Sequence, residues 1–530
     1  MLMIQKKVQI VLNNANIHNN DLSGLYVKNA DKVFVTTAEN SENTISSGET
    51  FVQIDDNNID GAVFSKSDIT FNGLGILNII SEGEHGVVSK DSLTITCGTY
   101  NVEALKSGLS GKDDVCIADG TFNITSGKDG IKSENTDDTS LGYVYIANGT
   151  FDINSEGDGI SASNWLQTDN GTYNIVTGGG SINGETHTDN MTGGMGGRPN
   201  GGGNMGTPPE RPESEISEVT TPPERLEGEK LNRNMPTETL ENNTEISQNK
   251  VETTEEDTVS TKGIKATNML IINEGTYNFD CADDAFHSNK DLEFYNGTVQ
   301  IKTGDDAFHA DEDLKIYNGN INIEKCYEGL EGLTVEILDG NIDIISDDDG
   351  INAAGGNDQS GFGGKGQDKF ASDTGAEIII SGGNITINAE GDGIDSNGNI
   401  NISGGNIYVM GASVGADTAL DYDGEATITG GTIIGVGLNG MTQNFGTNST
   451  QGSILISTDN QEGGSEILLK DSTGKEIVSW QSEKSFSSIL ISSPDLKEGE
   501  TYSITAGTYT NDITLDSLIY RESRSGQQRR

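Results

Sequence analysis

The chain is short of basic residues, of apolar residues and, over most of its length, of proline. Lys and Arg number 32 against 83 Asp and Glu in 530 residues, a formal charge of −51. So few cations exclude a nucleic-acid partner, which demands a positive surface, and an anionic membrane surface for the same reason. The excess of carboxylates fits a protein that works among divalent cations, for which they are hard oxygen ligands, or one that is simply soluble and self-repelling. Hydrophobic residues make up 32 %, fewer than an ordinary globular domain carries. That leaves disorder or an architecture that buries few side chains per turn. No apolar run approaches the length of a membrane-spanning helix. Seven of the eight prolines fall between Pro199 and Pro236. Strands exclude proline because it removes a ladder donor, so the remainder is open to strand formation. The four cysteines, Cys97, Cys116, Cys281 and Cys326, make no C-x-x-C pair and are expected to be small buried hydrophobes with free thiols. Residues 1–8 lack the sustained apolar stretch of a secretion signal. Strand-like sequence (Val8, Ile10, Leu12) begins almost at once, whereas a solenoid normally opens with a cap, so a signal and first turns are expected to precede this chain.

What is abundant is glycine, 70 residues, and it recurs with a period. The signature Gly-Thr/Asn-(aromatic or aliphatic)-x-(Ile/Val) reads Gly98-Thr-Tyr-Asn-Val, Gly120-Thr-Phe-Asn-Ile, Gly149-Thr-Phe-Asp-Ile and Gly171-Thr-Tyr-Asn-Ile. It resumes at Gly275 and continues through Gly297, Gly319, Gly340, Gly383, Gly405 and Gly431, most often 22 residues apart. Each repeat holds three short alternating segments, such as Leu292-x-Phe294, Val299-x-Ile301 and Phe308-x-Ala310. Alternation sends one side chain in and the next out, and Asn-Gly or Asp-Gly supplies the turns. Three strands per 22-residue coil predicts an all-β, single-stranded, right-handed parallel β-helix. Leucine-rich repeats share the period, but their Leu/Asn consensus and helix-forming runs are missing.

The pattern divides the chain. Residues 1–184 are read as the N-terminal part of the β-helix and 260–450 as its C-terminal part. Between them, residues 185–259 are Gly-, Pro- and Glu-rich and predict a disordered insertion. The coil resumes at Lys262-Gly-Ile-Lys-Ala, which matches Asp129-Gly-Ile-Lys-Ser. A second Gly-rich insertion, 355–375, carries Phe362 and Phe370. Residues 451–522 predict hairpins, a small antiparallel β domain covering the last coil's open edge, and 523–530 a basic tail.

The third segment of each coil carries the chemistry. It reads Asp129-Gly-Ile-Lys, Asp158-Gly-Ile-Ser, Asp284-Ala-Phe-His, Asp306-Ala-Phe-His, Glu328-Gly-Leu-Glu, Asp349-Gly-Ile-Asn, Asp392-Gly-Ile-Asp and Thr418-Ala-Leu-Asp. Equivalent residues in adjacent coils lie about 4.8 Å apart, so carboxylate stacks on carboxylate. Each neighbouring pair would repel by about 3–4 kcal/mol at an effective dielectric near 20. Turn amides, protonation or bound cations must offset this. The residue three places on is expected to point outward, giving the column Lys132, Ser161, Lys265, His287, His309, Glu331, Asn352, Asp395 and Asp421. It runs from basic through imidazole to acidic, and function is expected on this surface. Calcium is expected among the acids of its far end, with Glu328, Glu331, Asp348, Asp349, Asp392, Asp395, Asp421 and Asp423 as candidate ligands. The competing reading is turn capping, because Asp before Gly commonly bonds backbone amides. His287 and His309, one coil apart, offer two imidazoles to a transition metal, yet two ligands are not a site. Tyr295 and Tyr317, also one coil apart, read as a sugar platform or an aromatic ladder. With Lys132, Lys265 and the two histidines they are the candidate carbohydrate contacts. No nucleophile–base arrangement is recognisable, and the Gly-rich stretches lack the strand–loop–helix setting of phosphate loops.

The run Gly-Asp305-Asp306-Ala-Phe-His309-Ala-Asp311, followed by Tyr327-Glu-Gly-Leu-Glu-Gly332 and Asp347-Asp-Asp-Gly-Ile-Asn-Ala-Ala-Gly-Gly356, resembles the clostridial carbohydrate-binding β-helix family, which is similar in fold to the family 9 polysaccharide lyases. The resemblance covers most of the chain, and the composite motif carries it; any single Asp-Gly-Ile does not. It implies secretion, bound Ca²⁺ and recognition of cellulose or of acidic polysaccharides such as polygalacturonate, with Glu328, Glu331, Asp349, Asp392, Asp395 and Asp421 as matching ligands. The absent signal peptide departs from the family. Three functions follow as expectations: a non-catalytic extracellular polysaccharide-binding protein, a Ca²⁺-dependent pectate lyase, and a structural or adhesive surface protein. Elimination by a lyase needs a base beside its metal. The lyases resembled use a lysine, but Lys132 and Lys265 lie several coils from Glu331–Asp421.

Overall fold

Alternating apolar and polar residues bounded by glycine turns dictate strands, and strands are what form. The structure, a computed structural model, describes residues 6–186, 260–354, 375–415, 417–439 and 442–522, all within one compact unit. The insertion expected over 185–259 (from residue 187 on), the one with Phe362 and Phe370, and the tail from 523 lie outside the described residues. Among the described residues there is no α-helix; a single 3-10 turn, Ser181–Asn183, interrupts the β structure.

The strands come in threes. Ile264–Ala266, Met269–Ile272 and Thr276–Cys281 are followed by Phe286–Ser288, Asp291–Phe294 and Thr298–Thr303. Each pairs in parallel with its counterpart 22 residues on: Ile264 with Phe286, Leu270 with Leu292, Tyr277 with Val299. The pairing carries across residues 187–259, where Ile160 pairs with Ile264, Leu166 with Leu270 and Tyr173 with Tyr277.

Parallel register places like on like, and the interior is built from that. Ile131, Ile160, Ile264, Phe286, Phe308, Leu330, Ile351 and Ile394 form one buried row. In another, Tyr100, Phe122, Phe151, Tyr173 and Tyr277 stack face to face with centroids 5.3, 4.8, 4.8 and 4.7 Å apart. Each such pair adds about 0.5–1.5 kcal/mol beyond its burial. Two glycines show why the motifs need them. Gly98 has φ 126°, and a Cβ there would lie 2.9 Å from the Tyr100 hydroxyl. At Gly130 a Cβ would meet the Gly159 carbonyl of the next coil at 2.6 Å, so the residue after the ladder Asp must be small. Of the cysteines, Cys281 and Cys326 are buried and Cys97 and Cys116 half-buried, all as free thiols.

The parallel succession ends where Thr432–Gly437 pairs antiparallel with Phe486–Ser492. Beyond it, Glu466–Asp471, Glu476–Gln481, Thr501–Ala506 and Tyr509–Thr514 make a four-stranded antiparallel sheet over an apolar cluster that includes Ile467, Leu469, Phe486 and Ile504.

Candidate functional site

The strands that follow the ladder acids bring the column together in register. Lys132 pairs with Ser161, Ser161 with Lys265, Lys265 with His287, His287 with His309, His309 with Glu331, Glu331 with Asn352, Asn352 with Asp395 and Asp395 with Asp421. The expectation of an outward, solvent-facing surface is corrected along its middle. His287, His309 and Asn352 are 7 % exposed and Glu331 1 %. Alternation turns these side chains away from the apolar interior, but the ladder acids close over them and their column neighbours cover both faces. The His287 and His309 rings lie 4.8 Å apart, stacked.

The ladder acids meet their mutual repulsion with backbone amides. An Oδ1 of Asp129 accepts the N–H of Asp158, that of Asp158 the N–H of Lys262, and that of Asp284 the N–H of Asp306. Asp306 accepts from Glu328, Asp349 from Asp392, and Asp392 from Thr418. Each donor is the corresponding residue one coil on. This capping uses one oxygen of each carboxylate and leaves the second for another partner.

That partner changes along the column. Lys262 stands in a ladder position, and its buried ammonium lies 2.6 Å from both Asp283 and Asp284. His287 Nδ1 is 2.7 Å from Asp284 Oδ2. Burial, reinforced by the Lys262 charge, pushes the His287 pKa down to about 3, so the ring is neutral. Against the cost of burial, Lys262 and His287 hold Asp284 well below the usual carboxylate range. One coil on there is no second lysine. His309 Nδ1 lies 3.0 Å from Asp306 Oδ2 and in close contact with Glu331 Oε2, while Nε2 faces Asp311 Oδ1 at 3.1 Å. Burial opposes the charge on His309, but Glu331 and Asp306 together hold it well above the ordinary imidazole value. Burial, aided by the charges of Asp305 and Glu331, raises Asp306.

Farther along, Asp392, Asp395 and Asp421 bring carboxylate oxygens within 4.8 Å of one another. Burial, with Asp395, Asp417 and Asp421 adding to it, pushes Asp392 up to about 8. Burial and Asp421 push Asp395 to about 7, and burial with Asp348 and Asp392 raises Asp349 well above normal. These acids repel one another in a desolvated place.

The acidic region expected as one site is thus two. Asp392, Asp395 and Asp421 converge, with Asp348, Asp349 and Asp423 acting on them electrostatically. Glu331 belongs instead with Asp306 and His309, and Glu328 accepts a hydrogen bond from Asn352 Nδ2 at 2.8 Å. Lys132 pairs with Glu134 and Asp129, and Lys265 donates to Ser260. Tyr295 and Tyr317 stack at 4.2 Å, with the Tyr295 hydroxyl on Glu293 and the Lys315 ammonium 5.2 Å from the Tyr317 ring. Each ring gives one face to the other, which is the ladder arrangement. Sequence reasoning missed Lys262, Asp283 and Asp311 as partners. The substitution of lysine for acid in a ladder position was the available signal.

The geometry can be set beside known proteins. A family profile described as carbohydrate-binding domain-containing protein matches residues 2–307 and 306–413, most of the chain. The chain belongs to this family. A relative of the same description from Acetivibrio thermocellus is 32 % identical over 97 residues, covering 18 % of this chain and 34 % of that protein, so the match spans about a third of the relative's length. A solved structure of a polysaccharide lyase-like protein from C. thermocellum, a gadolinium derivative, is 33 % identical and covers 33 % of this chain and 71 % of the other. Its TM-score of 0.32 is too low to establish a common fold.

Proposed function

We propose that this member of the family is a non-catalytic, calcium-containing polysaccharide-binding protein that works outside the cell, built on a right-handed parallel β-helix of three strands per coil. The observation that carries the calcium reading is the convergence of Asp392, Asp395 and Asp421. An all-oxygen set with ligand atoms no more than 4.8 Å apart fits an ion whose ligands sit at about 2.3–2.6 Å on opposite sides. Carboxylates that burial and like charge raise toward neutral pH gain most from a divalent cation. The glycan we favour is acidic, polygalacturonate before cellulose, because a cation shared between protein and uronate carboxylates would reconcile two polyanions. For the carbohydrate contacts we favour Lys132 and Lys265 at the column's basic end with the exposed edges of Tyr295 and Tyr317, and leave out His287 and His309, which are buried.

The test is retention on immobilised polygalacturonate and on cellulose, with and without chelator, together with ultraviolet absorbance for unsaturated uronide. Calcium-dependent retention on polygalacturonate without product supports the proposal. Chelator-insensitive retention overturns the cation bridge, and uronide release overturns the non-catalytic reading in favour of a lyase.

A further inference from the structure

One edge of the N-terminal coils carries a second column, apart from the acid ladder. Val27 pairs with Ser65, Ser65 with Ser89, Ser89 with Gly111 and Gly111 with Ser133. The residues that follow them are Lys28, Lys66, Lys90, Lys112 and then Glu134. Their amides keep the register: the Lys66 N–H donates to the Val27 carbonyl at 3.0 Å, and those of Lys90 and Lys112 to Ser65 and Ser89 at 2.8 Å. Four consecutive coils thus place lysine at one position, in a chain with only 32 basic residues. Lys28 pairs with Asp55 at 2.9 Å and Lys90 with Asp60 at 3.6 Å. Lys66, exposed, and Lys112, half-buried, form no ion pair among the described residues. The acids beside them in sequence do not serve: burial, with Asp68 and Asp113, pushes Asp91 up to about 6, whereas a carboxylate neutralised by lysine is held down. Lys106 and Lys132 join this edge. They and Lys90 all act on His85, which burial and then Lys132 hold at about 4. The neutral ring accepts the Ser107 amide on Nδ1 at 3.1 Å, so Nε2 carries the hydrogen and adds a donor.

We propose that Lys28, Lys66, Lys90 and Lys112 bind a linear polycarboxylate glycan directly, the sugar chain lying along the solenoid axis across successive coils. The proposal rests on the acidic-glycan reading and adds to it a contact that needs no cation. A polyuronate carries one carboxylate on every sugar, a linear array of the kind that a ladder of ammoniums matches. The two unpaired lysines, two coils and about 10 Å apart, are its main anchors. The net charge of −51 repels such a chain at a distance, but salt at physiological strength screens charges farther apart than about 8 Å, so the local ladder decides. Exposed ammonium–carboxylate pairs are weak singly, which makes the ladder a weak site by itself. A long chain that also reaches the acid triad through calcium is held by both contacts together. Chelation therefore still releases the polymer, whereas a short chain depends on the lysines alone.

The test uses the full chain in chelator, titrated calorimetrically with a short oligogalacturonate that cannot span the lysines and the triad. Saturable binding is expected, weakening about tenfold or more as ionic strength rises from about 0.01 M to about 0.15 M. K66Q and K112Q together should weaken it about tenfold at low salt, and K66E with K112E should abolish it. K470Q with K497Q removes as much charge from the antiparallel sheet region and should leave it unchanged. D395N should also leave it unchanged, because the triad takes no part. The fully methyl-esterified oligomer, the same sugars without the charge, should not bind. No binding in chelator, or binding that survives K66E with K112E or esterification, overturns the ladder and leaves calcium-dependent retention of the polymer standing. Polymer retention indifferent to calcium, with the short oligomer still bound through the lysines, supports the ladder and overturns the calcium bridge instead.

Discussion

At the scale of single residues, one carboxylate can serve two partners. Asp392 caps the Thr418 amide with Oδ1, while its repulsion with Asp395 and Asp421 is what the proposed calcium would relieve. Asp395→Asn separates the two effects. Without calcium it removes a like charge from a buried cluster and should raise the melting temperature by a few degrees, since about 1 kcal/mol moves a domain of this size by only a few degrees. With calcium it should weaken binding by at least about tenfold, about 1.4 kcal/mol, and abolish the calcium-induced rise in melting temperature. A D395N protein that melts lower without calcium and gains as much from it as the wild type would refute the triad. The candidate acids were legible because the recurring motif fixes their register even where insertions stretch the spacing, Asn352 pairing with Asp395 and Asp395 with Asp421. Their division into two groups was not, because it depends on which second oxygen finds a cation nearby. Lys262 neutralises Asp283 and Asp284 only after the coils are stacked.

At the scale of the element, the coil is held by two rows, one apolar and one polar. Phe151 stacks between Phe122 and Tyr173 at 4.8 Å on each side. Phe151→Ala should cost about 3–5 kcal/mol, read from chemical denaturation, and a loss below about 1 kcal/mol would show that the neighbouring rings close the gap. In the polar row, Asp158 Oδ1 accepts the Lys262 amide at 2.9 Å and the Ser260 hydroxyl at 2.7 Å. Asp158→Asn keeps an acceptor and should be nearly neutral, whereas Asp158→Ala strands a buried amide at about 1–3 kcal/mol. Equal losses in both variants would mean that charge, not capping, matters at this rung. Alternation along the strand made the direction of each side chain readable. It could not give exposure: His287 and His309 point away from the apolar interior and are buried all the same, since what covers a side chain in a parallel stack is its copy in the next coil.

At the scale of the molecule, 83 acidic residues against 32 basic make folding a matter of where the negative charge goes. Burial first, then neighbouring acids, lifts Asp91 to about 6, Asp395 to about 7 and Asp305 and Asp392 to about 8, from about 3.9 in an unfolded chain. A carboxylate with a raised folded pKa favours the folded state below its unfolded value, and that advantage is lost as pH climbs through the folded value. Glu331 works in the opposite sense: despite burial, His309 holds it down to about 2, so its contribution is lost only as pH falls below about 4. The chelated protein should therefore be most stable near pH 4–5 and lose stability steadily up to about pH 8. A cation that binds only the folded state adds RT ln(1 + [L]/Kd), and it competes best where protons are leaving, so calcium should flatten the alkaline side and leave the acid side unchanged. Melting temperatures at pH 5 and pH 8, each with chelator and with calcium, check both signs. A chelated protein that melts higher at pH 8 than at pH 5 would mean that the ladder's charge is balanced within the chain and needs no ion from outside.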